Sequence, residues 1–316
     1  MSRRQRGREI CGWVLLDKPK GISSNQALQK VRRALDARKA GHGGSLDPMA
    51  EGLLPILLGD ATRLSQFALD GDKSYRFALR LGWSTTSGDA DGEALEYCDQ
   101  PLPDAPAVEQ VLPQFLGAQQ QIPPMHSALK RDGQPLYKLA HQGLSVEREP
   151  RQIQVHSLRL QGIEGDQLWL EATVSKGTYI RTLGEDIAKA LGQRGHLSVL
   201  RRTAAAGFAE PGLSLDALEA TPSDQRLGLV RGVGEWLPSW PRLQLDGVAI
   251  ADFQHGRASV PVESAALEAG CSCLVEDRSG RVLGLGEWDG SKLLPQRVFS
   301  AQAWQPGSAM EITAKA

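Results

Sequence analysis

The 316-residue sequence predicts an α+β fold in two parts, on three observations. Strand-like and helix-like segments are mixed without a regular strand-helix alternation, which disfavours a doubly wound parallel sheet. The length is long for one domain and comfortable for two. Pro and Gly cluster around "LPSWPRLQLDG" and the segment beyond it reads as short strands, which places a boundary near residue 242. With 41% hydrophobic and 23% charged residues the composition is that of an ordinary globular protein and argues against a disordered or fibrous chain.

From the N-terminus, "WVLL" reads as a short strand and Lys18 to Gly21 as a turn. In the helix that follows, Ser23, Ser24 or Asn25 supplies the cap oxygen, and Leu28, Val31 and Leu35 fall on one face away from Lys30, Arg32 and Arg33. "GHGGSLDP" is a loop. The apolar run "LLPILLG" after it reads as a helix that Asp47 would cap, with Pro48 at the first helical position, where a missing N–H costs nothing. "YRFALRLG" alternates strictly, with Tyr75, Phe77, Leu79 and Leu81 on one face and Arg76 and Arg80 on the other, as a half-buried strand does. From residue 122 to 152 the chain is polar, punctuated by Pro and Gly and rich in Lys, Arg and His, like an insertion between structured regions. "QLWLEATV" alternates again, with Leu168, Leu170, Ala172 and Val174 on one face. Ser175 to Thr178 then turn the chain into a short amphipathic helix carrying Ile187, Ala188 and Leu191. Towards the C-terminus "CSCLVEDRSGRVLGLGEW" reads as two short strands around an Arg-Ser-Gly turn.

No apolar run approaches the roughly 20 residues that cross a bilayer, and the basic "MSRRQRGREICG" lacks the apolar middle of a secretory signal, so a cytoplasmic protein without membrane partners is expected. Cys11, Cys98, Cys271 and Cys273 form neither a zinc-ligand spacing nor a disulfide framework. The net charge is -1, yet residues 1–47 hold 11 Lys and Arg against 4 Asp and Glu, which is +7 and leaves -8 on the rest. Such asymmetry suits a polyanion docking on one face, and equally a solubilising basic tail.

The loop around Asp47 is no nucleotide cradle: a P-loop needs Lys-Ser/Thr directly after its last glycine, and the dinucleotide fingerprint has another glycine spacing. "GDADGE" (88–93) misses the calcium-loop positions and reads as a surface turn. Gly-x-Ser-x-Gly and His-Glu-x-x-His are absent, and the six histidines have no zinc spacing. What remains is a carboxylate on a glycine-rich loop beside the flat polar ring of His42, one or two tyrosines, an arginine and a basic surface. Asp47 is either a helix cap or a carboxylate held out for chemistry. Consecutive glycines, which let backbone approach a ligand closely, weigh towards the second.

Taken together, "LLDKPKGISSN", "GHGGSLDPMAEGLLPILLGDATR", "DKSYRFALRLG", "SKGTYIRTLGEDI" and "LRRT", in that order, resemble the bacterial TruB-type tRNA pseudouridine synthases, from about residue 10 to the C-terminus. The resemblance implies the pseudouridine-synthase fold, a mixed, largely antiparallel central sheet flanked by helices, over residues 1–242, with an RNA-binding insertion at about 124–151. It also implies a small β-rich, PUA-like domain over residues 243–316. The implied reaction is isomerisation of uridine to pseudouridine at position 55 in the T-loop of tRNA, with the base flipped out of the RNA. No cofactor, metal or obligatory protein partner is implied; the expected partner is the T-arm stem-loop of tRNA and the expected state a monomer. On matching positions Asp47 is the catalytic carboxylate, attacking ribose C1′ or uracil C6. Tyr75 is the ring that stacks on the target base, and Arg181 the charge-assisted partner of Asp47. His42, Tyr179 and Leu200 match substrate-contacting positions, although Tyr75, Tyr179 and Leu200 are apolar enough to be core. Lys18, Lys20, Lys39, Lys130, Arg201 and Arg202 are the candidate contacts to the RNA backbone.

Gly43 departs from the family pattern, standing where Thr or Ser is common, and the C-terminal part is matched least. Two other readings fit the same residues. One is an RNA-binding or tRNA-folding module, which would not need the Asp47, Tyr75 and Arg181 set. The other is a related synthase acting on a different RNA, including the guide-RNA-dependent kind.

Overall fold

In the computed structural model, residues 7–127, 129–131, 133–144, 146–262 and 267–307 are described. The chain begins with β1 (Gly12–Lys18), α1 (Ser24–Ala34), β2 (Ala40–His42), β3 (Glu51–Leu58), α2 (Ser65–Asp70) and β4 (Lys73–Leu81). Then come β5 (Trp83–Thr85), β6 (Ala94–Tyr97), α3 (Ala105–Val111) and β7 (Gly117–Gln121), followed by the small elements β8 (Lys130–Arg131), β9 (Gln134–Pro135) and α4 (Leu136–His141). The sheet resumes with β10 (Arg151–Glu164), β11 (Gln167–Val174), α5 (Ile180–Ala190), β12 (Gly195–Ala205), β13 (Phe208–Ala209), β14 (Leu213–Ser214), α6 (Leu215–Ala220) and α7 (Val233–Trp236). Last are β15 (Arg242–Leu245), α8 (Gly247–Gln254), β16 (Cys271–Asp277), β17 (Val282–Trp288) and β18 (Leu293–Val298).

The central sheet runs β14-β1-β3-β12-β4-β11-β10-β7, with β2 added to β3 and β13 to β12. Only the β1/β14 and β3/β12 pairs are parallel, so the sheet is mixed and largely antiparallel. The alternating strands lie at its middle: β4 and β11 pair in register, Phe77 opposite Leu170 and Leu79 opposite Leu168, and their apolar faces meet Ile180, Leu183 and Ile187 of α5 in one core. Helix α5 starts at Ile180, earlier than its apolar periodicity indicated, which puts Arg181 in its first turn.

The run after Asp47 corrects the sequence reading: residues 51–58 form strand β3, and no helix follows the loop. Both faces of this strand are covered. Leu53 and Leu57 enter the core shared with Trp13 and Trp236, while Leu54, Ile56 and Leu58 enter the one beneath α1. A strand buried on both faces reads as a continuous apolar run, which periodicity cannot tell from a buried helix. Helix α1 carries a full capping box, Ser23 accepting from the Gln26 N–H and the Gln26 side chain accepting from the Ser23 N–H.

A second sheet, β15-β16-β17-β18, packs Leu274, Val282 and Leu285 into the core that holds Trp13, Leu53 and Leu57. Helix α8 covers its other side with Phe253. That helix left no periodic trace, because "GVAIADFQ" is short and apolar nearly all round.

Candidate active site

Asp47 sits on the loop between β2 and β3, and three elements brace that loop. From α1, the buried Ser24 hydroxyl accepts from the Leu46 N–H (2.7 Å) and donates to the Leu46 carbonyl (2.9 Å). The turn after β1 donates its Gly21 N–H to the Pro48 carbonyl (2.8 Å). From β12, Arg202 donates to the carbonyls of Leu53 (2.6 Å) and Gly44 (3.1 Å). Gly52 has φ +102 and pairs with Arg202; a Cβ there would stand 2.3 Å from the Arg202 carbonyl oxygen, so only glycine permits this approach. Gly43 is equally tight, since a Cβ would lie 2.3 Å from that of Ala68. Any side chain at position 43, a hydroxyl residue included, would displace Ala68. Gly43 and Gly52 thus serve packing and the seating of Arg202, while Gly44 lines the cavity at Asp47.

The carboxylate faces Arg181, with Oδ2 2.9 Å from Nη2. Arg181 is only 4% exposed and is held on every side: Nη1 donates to the Ser87 carbonyl (2.9 Å), Nη2 to the His126 carbonyl (2.6 Å), and Asp89 Oδ2 stands 3.5 Å from Nη1. Residues 88–93 form the expected turn, with Ala90, Asp91 and Glu93 exposed, but the side chain of Asp89 points inward and is buried. Its backbone is tied to β12 by a bridge to Leu197. Burial pushes the Asp47 carboxyl above the ordinary carboxylate range; Arg181 opposes that shift, Asp89 adds to it and Lys18 opposes it.

Asp47, Arg181, Tyr75, Tyr179, Leu200 and Arg202 line one cavity of about 310 Å³, so the structure brings six of the expected site residues together. Tyr75 and Leu200 belong at once to the core and to the cavity wall, so their apolar character serves both. Burial raises the Tyr179 hydroxyl above its usual range. His42 is not among the lining residues. It ends β2 opposite Ile56, its Nδ1 has no hydrogen-bond partner among the described residues, and burial first, then the Arg202 charge, lowers its pKa.

Two of the expected RNA-backbone contacts, Lys18 and Arg202, are corrected by their burial, and a third, Arg201, is already paired. Lys18 has no exposed surface; its ammonium donates to the carbonyls of Pro19 (2.9 Å) and Ile22 (2.8 Å), and burial lowers it to about 8 while Asp47 pulls it back up. Arg202, 1% exposed, is the loop brace described above. Arg201 is neutralised by Asp17 (2.6 Å), Glu51 (3.4 Å) and Glu210. Lys20 is exposed on the turn that touches Pro48. Lys39 is exposed but bonded through its carbonyl to Gly59, at the far end of β3, about 23 Å of strand from Glu51. The Lys130 side chain, and Arg3, Arg4 and Arg6 of the basic N-terminus, lie outside the described residues.

Sequence reasoning missed Asp89, the Ser24 brace and Lys73. The Lys73 ammonium lines the cavity, donates to the Leu69 (2.6 Å) and Gly71 carbonyls, and is lowered to about 8 by burial and then by Arg202. Lysine and aspartate in polar segments carry no signal of burial, because burial comes from strands distant in sequence.

The fold is shared with a protein chain in a structure described as an H/ACA RNP bound to a substrate RNA containing 2′-deoxyuridine: TM-score 0.67, 22% identity, 97% of this chain and 94% of that one covered. A chain of a Cbf5-Nop10-Gar1 complex gives TM-score 0.66 at 23% identity, over 96% of this chain and 92% of its own. The class is that of the pseudouridylate synthases: the model of the "TruB family pseudouridylate synthase (N terminal domain)" matches residues 32–180. Over 303 residues the chain is 46% identical to tRNA pseudouridine synthase B of Aromatoleum aromaticum, covering 95% of this chain and 96% of that one. The protein of the same name from Nitrosococcus oceani is 46% identical over 307 residues, covering 96% and 99%. The chain belongs to the TruB family of pseudouridylate synthases.

Proposed function

We propose that this chain isomerises uridine to pseudouridine in tRNA, at position 55 of the T-loop, with Asp47 as the attacking carboxylate. One observation carries the reading: the 2.9 Å Asp47–Arg181 pair in a cavity that Tyr75, Tyr179 and Leu200 also line. The relatives named tRNA pseudouridine synthase B support tRNA as the RNA.

The reaction conserves atoms. The C1′–N1 bond breaks, C1′ bonds to C5 of the same ring, the C5 proton leaves and N1 gains one. An ionised Asp47 attacks either C1′ or C6, and both routes need the carboxylate aimed by a fixed cation, which the fork of Arg181 supplies. Extruding the uridine costs a few kcal/mol, and stacking on the Tyr75 ring returns about 1–3 kcal/mol, so phosphate contacts must supply the affinity. Lys20, exposed on the turn whose Gly21 N–H donates to the Pro48 carbonyl, is our candidate for one of them. In this reading residues 1–242 do the chemistry, the insertion at 124–151 closes over the T-loop, and the PUA-like residues 243–316 add RNA contact. The chain works as a monomer in the cytoplasm without a protein partner.

The test is the isolated chain on a T-arm stem-loop with tritium at uridine C5. Asp47→Asn lowers tritium release at least about 10⁴-fold and leaves RNA affinity within about threefold. Retained turnover in that variant overturns the reading, and so does an inert wild-type chain.

A further inference from the structure

The insertion leaves the central sheet after Gln121 and returns at Arg151, and the two residues lie opposite each other in the β7/β10 ladder. Gln121 is the last residue of β7 and is buried. Its carboxamide does not bond within its own strand pair but reaches the start of α5: Nε2 donates to the Tyr179 carbonyl (3.0 Å), and Oε1 accepts from the Tyr179 N–H (2.8 Å). Tyr179 stands at the N-cap of α5 and has no side-chain capping bond of its own. One planar amide thus holds both backbone polar groups of the residue whose ring lines the cavity.

A second hold lies five residues on. The His126 carbonyl accepts from Arg181 Nη2 at 2.6 Å, and the same nitrogen faces Asp47 Oδ2 at 2.9 Å. A guanidinium Nη carries two hydrogens in a fixed plane, so aiming one at His126 directs the other at Asp47. Ser127, next in the chain, is buried against the cavity. Residues 121–127 therefore grip residues 179–181 at two points, from the root of the insertion.

We propose that residues 121–127 are a strap in which the Gln121 carboxamide and the His126 carbonyl hold Tyr179 and Arg181 in register with Asp47, with Gln121 as a positioning residue for the isomerisation. The inference rests on the function proposed above. It ties the segment that closes on RNA to the ion pair that does the chemistry: displacing the root of the insertion displaces the arginine.

The experiment compares Gln121→Met, which keeps the length and loses both bonds, with Gln121→Glu, which keeps the acceptor for the Tyr179 N–H and loses the donor to its carbonyl. Gln120→Met, exposed on the same strand, is the control. Single-turnover isomerisation of a saturating T-arm stem-loop and RNA affinity are measured for each. A misplacement of the reacting groups by about 1 Å costs on the order of 100-fold, so Gln121→Met is expected to lose about 100-fold in rate with affinity within about twofold. Gln121→Glu falls between it and the wild type, and Gln120→Met matches the wild type. An unchanged rate in Gln121→Met, or rate and affinity falling together, overturns the strap. If Gln121→Met does not fold, the same criteria are applied to Gln121→Glu. A wild-type chain that does not isomerise the RNA fails before the variants are compared, which separates failure of the parent function from failure of the strap.

Discussion

Two cavities of this molecule differ in a way that volume does not explain. The one at the seam of the two sheets holds about 740 Å³ and is lined by Arg8, Arg38, Lys39, Arg63, Glu9 and Asp60 among others. The one at Asp47 holds about 310 Å³. At the seam the arginines meet carboxylates near solvent: Arg38 pairs with Glu9, Arg63 with Asp60 (3.4 Å) and Arg8 with Asp36 (3.9 Å). Around Asp47 the cations are buried, and Lys18, Lys73 and Arg202 are held by backbone carbonyls, which satisfy their N–H groups without cancelling their charge. A field made this way survives in a low dielectric and acts on what enters the cavity, whereas exposed pairs are screened. Among the described residues at Asp47, these three dipole-held cations accompany Arg181, the one cation there that is paired with carboxylates, Asp47 and Asp89.

The largest expected contrast is in stability. Arg202→Met leaves the Leu53 and Gly44 carbonyls without their donor and should cost about 2–4 kcal/mol in denaturant unfolding. Arg63→Met at the seam should cost within about 1 kcal/mol. Equal losses would erase the distinction between the two cavities.

A smaller effect concerns pH. In the proposed reaction Asp47 attacks in its ionised form, and burial raises its pKa, so the single-turnover rate should fall with decreasing pH at a value above the ordinary aspartate range. Asp89 is a like charge that adds to this rise. Asp89→Asn should therefore carry the acid limb to lower pH, while Arg181 keeps its bonds to Ser87, His126 and Asp47. A limb that moves upward would show that Asp89 acts mainly by orienting Arg181.

The smallest effect separates two surface cations. Lys20→Ala should weaken T-arm binding and reduce the slope of log affinity against log salt by about 1. Arg201→Gln should leave that slope unchanged, because Asp17, Glu51 and Glu210 already neutralise the guanidinium. The readout is a salt titration of RNA binding.

Legibility followed the range of the forces involved. Strands β4 and β11 were readable residue by residue, since alternation is a local consequence of one buried face, and the α1 cap, Ser23, was one of three candidates the sequence offered. Strand β3 was not, because burial on both faces removes the alternation. The ordered motifs pointed to Asp47, Tyr75 and Arg181, which the structure brings to one cavity, but they said nothing of Asp89, whose backbone is bridged to Leu197. They also misjudged Lys18 and Arg202, because a basic residue looks the same in sequence whether it meets water or a buried carbonyl.

The sequence by itself determined the mixed architecture, the alternating strands and the motif residues of the TruB family, all of which are written in local periodicity or short spacing. Only the tertiary structure decided which cations are buried, that Arg181 is shared among Asp47, Asp89, Ser87 and His126, and that Gln121 reaches Tyr179 across 58 positions. Charge environment and hydrogen-bond partnership depend on distance in space, and chain folding sets that distance independently of separation along the chain.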